Sequence, residues 1–394
     1  MNHGSSDSAC VPLQLKGPIV SFGQVSRISA VALLFAAAAL VASLLWDFSW
    51  ESTVGIDLVW SPPHTALYLC VATAGLAALA VIRRSASCSE HAGVRLGRIE
   101  APLGAWVTAW GALAFLAATL FDRWWQSNYG LVAGLWHPPQ IAKTVAFFAI
   151  VIGPWFLWLK AINAREKTLA AGFGFIVAAG LVLTLITVAS LTYIYPNRQH
   201  SAFFYQLACL TYPLVLAATA IAGRLPFSAT AASLVYTGVV SLMVWLLPLF
   251  PAKPLVAPIY NSLDHLMPPP FPLLLAIPAV AIDCLFRWVR SRAHPVSPWL
   301  QAATAGAGFF VLFIATQWVF AEFLLSDLAD NRLFAGGGRH WPFFLKIDAV
   351  ARTSFWEIAQ DRLTLGAALT DGVLAILSAA VGLCTGKWMR NVRR

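Results

Sequence analysis

The residues able to do chemistry crowd into one short stretch, WDFSWESTVGIDLVWSPPH, from Trp46 to His64. It holds three acids, three tryptophans, two prolines and a histidine between two apolar runs, Ile28 to Leu45 and Thr65 to Val81. If the first run is a helix that continues past Trp46, Asp47 and Glu51 lie four apart on one face, and His64 falls in the first turn of the returning helix. Two carboxylates and an imidazole would then face one another across a hairpin. Such a set can hold a metal ion and leave positions open for water or dioxygen. The competing reading is local: the acids cap or pair within the loop, and His64 donates a hydrogen bond across it.

Composition defines the elements that position these groups. With 59% hydrophobic and 11% charged residues over 394 positions, the chain is far from the roughly one-quarter charge of a soluble domain. The expected fold class is all-α, a polytopic integral membrane protein in a lipid bilayer. At about 20 apolar residues per span, ten helices are predicted near 26–46, 64–83, 102–121, 138–160, 168–194, 201–223, 229–249, 270–289, 299–324 and 364–386. The first is long enough to span, so it reads as an uncleaved helix rather than a signal peptide. A net charge of +9 is scattered over short loops, which excludes a nucleic-acid patch. Six cysteines stand singly with no CxxC pair, which argues against a disulfide framework or a structural zinc site.

Basic residues orient the helices. Seventeen of the 26 Lys and Arg lie on the side of the N-terminus, whereas the short opposite loops hold only Arg123, Arg198 and Lys253. Both termini are thus predicted cytoplasmic, in a bacterial-type inner membrane. His64, His137, His200, His265 and His340, with most of the acids, then face outward, and a long outward loop covers 325–363. Interfacial loops attract Trp, Tyr and polar residues in any case; clustering beside helix ends is what favours a site.

A repeat runs through the first four helices. Trp46-Asp47-x-x-Trp50-Glu51 aligns with Phe121-Asp122-x-x-Trp125-Gln126, Gly55-Ile56 with Gly130-Leu131, and Trp60-Ser61-Pro62-Pro63-His64 with Trp136-His137-Pro138-Pro139-Gln140. Segments 26–83 and 102–160 are therefore expected to be two copies of one hairpin. Such repeats often place a site at their interface in membrane proteins. The second copy carries Gln126 and Gln140 where the first has Glu51 and His64, and amides are poor metal ligands. The prolines at 62–63, 138–139 and 268–270 read as stiff helix starts, where a missing N–H costs little.

The pattern Asp47, Glu51, Asp57 and Trp60-Ser61-Pro62-Pro63-His64 resembles the metal-binding signature of the C subunit of the copper membrane monooxygenases, the particulate methane and ammonia monooxygenases. That family has Asp-x-x-Trp-His, a later Arg-Asp, and an aromatic-Thr-Pro-Ser-His opening the next helix. The resemblance covers about twenty residues. It implies that Asp47 and His64 are ligands, that Glu51 stands where the family has a histidine, and that Asp57 falls on the acid of the Arg-Asp pair, with Ile56 in place of its arginine. It also implies partner subunits in a larger membrane complex.

On the residues alone, two carboxylates and one imidazole suit iron, manganese or zinc at least as well as copper. The expected metal set is Asp47, Glu51, His64 and, from the second hairpin, His137. His265 and His340 lie in more distant loops, and singly read as interfacial hydrogen-bonders. The glycines at 336–338 lack a Gly-Lys-Ser/Thr ending, so phosphate binding is discarded. No span carries a deep histidine, which argues against a haem pair. Lys143 and Asp371 sit within spans; charges there need a partner, and both are expected to face the bundle interior, with a Lys143–Asp371 pair as one arrangement that would satisfy them. Two rival classes stay open. One is a non-catalytic structural or accessory subunit of a membrane complex. The other is a glycosyltransferase using a polyprenyl-linked sugar, with Asp47 and Asp57 as base and cation ligand. No matched pair of broken helices supports a transporter.

Overall fold

A computed structural model describes residues 24–55, 58–87, 93–130, 137–164, 169–223, 225–255, 263–336 and 361–392. Among the described residues it is a helical bundle: α1 (Gln24–Val54), α2 (Pro62–Ser87), α3 (Leu103–Tyr129), α4 (Pro138–Asn163), α5 (Leu169–Ala189), α6 (Ala202–Ala222), α7 (Ser228–Leu246), α8 (Ala276–Ser291), α9 (Pro298–Leu325) and α10 (Leu365–Asn391). A two-stranded hairpin, β1 (Val94–Leu96) with β2 (Ile99–Ala101), joins α2 to α3. Nine of the ten described helices are long and apolar enough to cross a bilayer, which makes this a multi-pass membrane protein.

The exception is α8. The run expected to span 270–289 is non-helical through Pro268, Pro269, Pro270 and Pro272, and becomes helical only at Ala276. Proline restrains the residue before it to extended conformations and offers no N–H, so this run is not a stiff helix start. Non-helical backbone survives in a membrane only where protein satisfies it. Here Met267 N–H donates to Thr53 Oγ1 (2.7 Å), Leu273 N–H to the Tyr236 hydroxyl (2.8 Å) and Leu274 N–H to Gln317 Oε1 (2.9 Å). Pro62–Pro63 and Pro138–Pro139 do begin helices.

Packing divides the bundle into two parts. In one, α1 pairs with α2 and α3 with α4, while α2 touches α3 and α4 touches α1 and α5; in the other, α10 runs against α6 and α9. The α3–α4 approach is close because Gly104 and Gly153 face one another: a Cβ on either would strike the other's carbonyl oxygen, the small-residue contact by which spans pack without a hydrophobic drive between them. Toward the same end of α4, its last residue Asn163 ties it to the C-terminus of α10, Nδ2 donating to Met389 O (2.9 Å) and Val392 O (2.7 Å). The span of α6 is 72% buried, that of α2 only 33%, so α2 sits at the rim, with Leu69, Leu76 and Leu79 facing outward as lipid-contacting residues do.

Candidate metal centre

α1 outlasts its apolar run by two turns because its far side is docked. Ser49 Oγ donates to Met267 O, Thr53 Oγ1 donates to Ser49 O (2.7 Å), and Leu255 N–H donates to Val54 O (3.0 Å). With Ser49 and Thr53 buried, Asp47 and Glu51 fall on the opposite face, one turn apart. The helix stops at Gly55, whose φ of 76° lies in the left-handed region that glycine enters without a Cβ penalty; its N–H still donates to Glu51 O (3.0 Å).

The return is equally defined. Ser61 N–H donates to Leu58 O (2.9 Å), Thr65 N–H to Ser61 O (2.9 Å), and α2 opens at Pro62. His64, in the first turn, points its two ring nitrogens in different directions. Nδ1 is 2.8 Å from Leu58 O and Nε2 is 3.3 Å from Asp47 Oδ1. A carbonyl can only accept, so Nδ1 carries a proton, and in the neutral ring the lone pair is on Nε2, facing the carboxylate. That orientation, one nitrogen fixed by a backbone carbonyl and the other presented, is how protein surroundings prepare a metal-binding histidine. Below, the ring stacks on Tyr68 at 6.1 Å, and Trp60 meets Tyr68 edge-on at 5.8 Å.

Asp47, Glu51 and His64 together offer one ligand atom each, all within 4.8 Å of one another. Bonds of about 2.1 Å at a tetrahedral angle set two donors about 3.4 Å apart, close to the 3.3 Å between His64 Nε2 and Asp47 Oδ1. Asp47 Oδ1 is buried and makes no hydrogen bond, its contact with His64 being an electrostatic approach only. Donor types, spacing and this oxygen fit a cation. The side chains of His64 and Asp47 are 18% and 15% exposed while Glu51 is exposed, so the centre opens to water past Glu51. Three protein donors leave positions for water or substrate, where a bound metal acts as a Lewis acid or activates water.

Of the expected ligands the structure unites three. His137 stands at the N-cap of α4, outside the three-residue group. Asp57 and His340 lie outside the described residues. His265 Nδ1 pairs with its neighbour Asp264 at 2.8 Å, a hydrogen bond that holds the Asp264 carboxyl below its usual range. The expectation that Lys143 and Asp371 pair is overturned. Lys143 donates to Asp122 Oδ2, which also accepts from Gln126 Nε2 at 3.2 Å, because α4 packs along α3; Asp371 is buried on α10, which packs against α6 and α9. Sequence reasoning missed the Leu58 carbonyl and the Asp122–Lys143 bond; only the coincidence of an acid and a lysine in adjacent hairpin arms hinted at the second.

No family model, curated protein or solved structure matches this chain.

Proposed function

We propose that this protein holds a first-row divalent metal on the non-cytoplasmic side of a bacterial-type inner membrane, at the α1–α2 hairpin, in a centre similar to that of the C subunit of the copper membrane monooxygenases. The observation that carries the reading is the His64 ring, oriented by Leu58 O so that Nε2 meets Asp47 with Glu51 beside it. Asp47, Glu51 and His64 are the ligands, and water or a small membrane-dissolved substrate takes the remaining position. The rim placement of α2, against lipid, suits a substrate arriving from the bilayer. Orientation follows from the basic loops, which put both termini in the cytoplasm. Descent of the two hairpins from one repeat is supported by matching ends: Gly55 and Gly130 both have positive φ, and each N–H donates at 3.0 Å to the residue four before it.

The test is elemental analysis of protein purified in lipid without chelator, wild type beside His64→Ala and Glu51→Ala. A single equivalent of metal in the wild type, lost from both variants, is expected, and its identity names the metal. Equal background metal in all three folded proteins overturns the reading and leaves a membrane scaffold.

A further inference from the structure

α10 carries an acid in its interior that the metal centre does not use. No part of the Asp371 side chain reaches the surface, and neither carboxylate oxygen has a hydrogen-bond partner. Among the described residues, neither helix packed along α10 at this level supplies a cation. α6 contains no charged residue, and α9 contains only Glu322. In α10 itself Lys387 and Arg390 follow Asp371 by 16 and 19 positions, at least about 24 Å along a helix. α4 meets α10 at that far end, through Asn163 and Trp388, while Lys143 is engaged with Asp122. Before α10 stand Asp361 and Arg362, ten and nine positions ahead of Asp371; Asp361 Oδ2 accepts from Phe203 N–H (2.7 Å) and the Arg362 backbone bridges to Ser201 at the start of α6. A carboxylate there, in hydrocarbon surroundings, would lack the hydration that stabilises it in water.

What does face Asp371 is a second orphan. Tyr205, on α6, is fully buried and its hydroxyl makes no hydrogen bond; α6 and α10 run side by side in one direction, Ser378 Oγ donating to Leu210 O (2.8 Å) and accepting from Leu214 N–H (3.1 Å), and two turns earlier on each helix this register sets Tyr205 level with Asp371. A protonated carboxyl is one donor with acceptor capacity, a match for a hydroxyl. Tyr205 in turn stacks on Trp318 at 6.4 Å, and Trp318 also meets the His200 ring edge-on at 4.2 Å. Burial pulls the His200 pKa down to about 4, so near neutrality it is an uncharged imidazole, and its Nε2 is 3.7 Å from Glu322, whose side chain is 65% exposed. This row of groups lies at the end of the bundle that bears Asp47, since Phe48 contacts Tyr195 in the same loop as His200.

We propose that Asp371 is a proton-binding site within the membrane, loaded as the neutral acid and exchanging its proton with the Asp47 side of the bundle by way of Tyr205, His200 and Glu322. The proton leaves the Asp371 O–H as the Tyr205 oxygen accepts it and hands its own hydrogen onward, so Tyr205 ends neutral and the negative charge stays on the Asp371 carboxylate until a proton returns by the same row. The site does not depend on metal at the first hairpin.

A membrane-permeant carbodiimide, which forms a stable acylurea only with a protonated carboxyl in apolar surroundings, reads this state by mass spectrometry of the Asp371 peptide. With wild-type protein in lipid nanodiscs, labelling at Asp371 is expected near neutral pH and declines with rising pH, by about tenfold per unit past its midpoint. Asp371→Asn should fold, judged by its helical spectrum, and take no label there; Tyr205→Phe should keep the label and slow its response to a pH jump. Absence of label in folded wild type, or label constant from roughly pH 5 to pH 9, overturns the proposal. So does suppression of labelling by sodium at fixed pH, which would make the site one for a metal cation.

Discussion

The two N-terminal hairpins meet the same electrostatic problem differently. Each ends its first helix with an acid, Asp47 or Asp122, followed four residues later by a second polar group and then by a glycine of positive φ. Each begins its second helix on paired prolines. In α3–α4 the charge of Asp122 is answered from within, by Lys143 and the Gln126 amide. In α1–α2 the corresponding positions hold Glu51 and Leu67, and the side chain facing Asp47 is His64. One hairpin answers its acid with a lysine; the other sets a second carboxylate and an imidazole beside its acid.

Exchanging those residues should exchange the behaviour. Glu51→Gln, His64→Gln and Leu67→Lys, made together, install the second hairpin's solution in the first. Metal affinity should drop by more than about 100-fold, beyond the 10–100-fold typical of losing an outer-shell partner, while the helical content stays. The reverse set, Gln126→Glu, Gln140→His and Lys143→Leu, should create metal uptake at the second hairpin, measured against a wild type whose first hairpin is disabled by His64→Ala. If the first triple variant keeps its metal, the contrast between the hairpins is wrong.

A smaller effect is expected from Lys143→Met alone. Removing one member of a buried ion pair costs about 3–5 kcal/mol, but Lys143 and Asp122 are 19% and 21% exposed, so water screens part of the loss and about 1–3 kcal/mol is expected. Adding Asp122→Asn should recover most of it. Thermal melts in detergent read both; a single variant that melts with wild type would show that Asp122 does not need its lysine, and that the first hairpin's acids need no cation either.

How much of this was legible beforehand follows from which interactions leave a trace in the letters. Apolar runs located nine spans, because each is one continuous stretch. They misplaced the ends of α1 and α3, which continue to Val54 and Tyr129. Beyond Trp46 the helix is held by Ser49 and Thr53 against Met267, a partner more than two hundred positions away. They also misread 270–289, where proline chemistry outweighs hydropathy. The Asp47–Glu51–His64 grouping was legible because four-residue spacing and a helix-start histidine are local. The Leu58 carbonyl that orients His64 was not, since a backbone acceptor has no signature, and neither was the choice of Asp122 over Asp371 by Lys143, which is decided by which helices touch.

The finest test uses the two glycines. Gly130 has φ 83° and ψ 174° with open space around an added Cβ, so Gly130→Ala should cost only its backbone strain, about 1–3 kcal/mol, with no effect on metal. Gly55→Ala, at φ 76°, should cost about 1–2 kcal/mol, and in addition weaken metal binding several-fold. The turn it distorts carries the Glu51 carbonyl's hydrogen bond and leads to Leu58, the acceptor that aims His64. Metal titration of both alanine variants at matched folding distinguishes the two; equal affinity would mean that His64 finds its orientation without the loop.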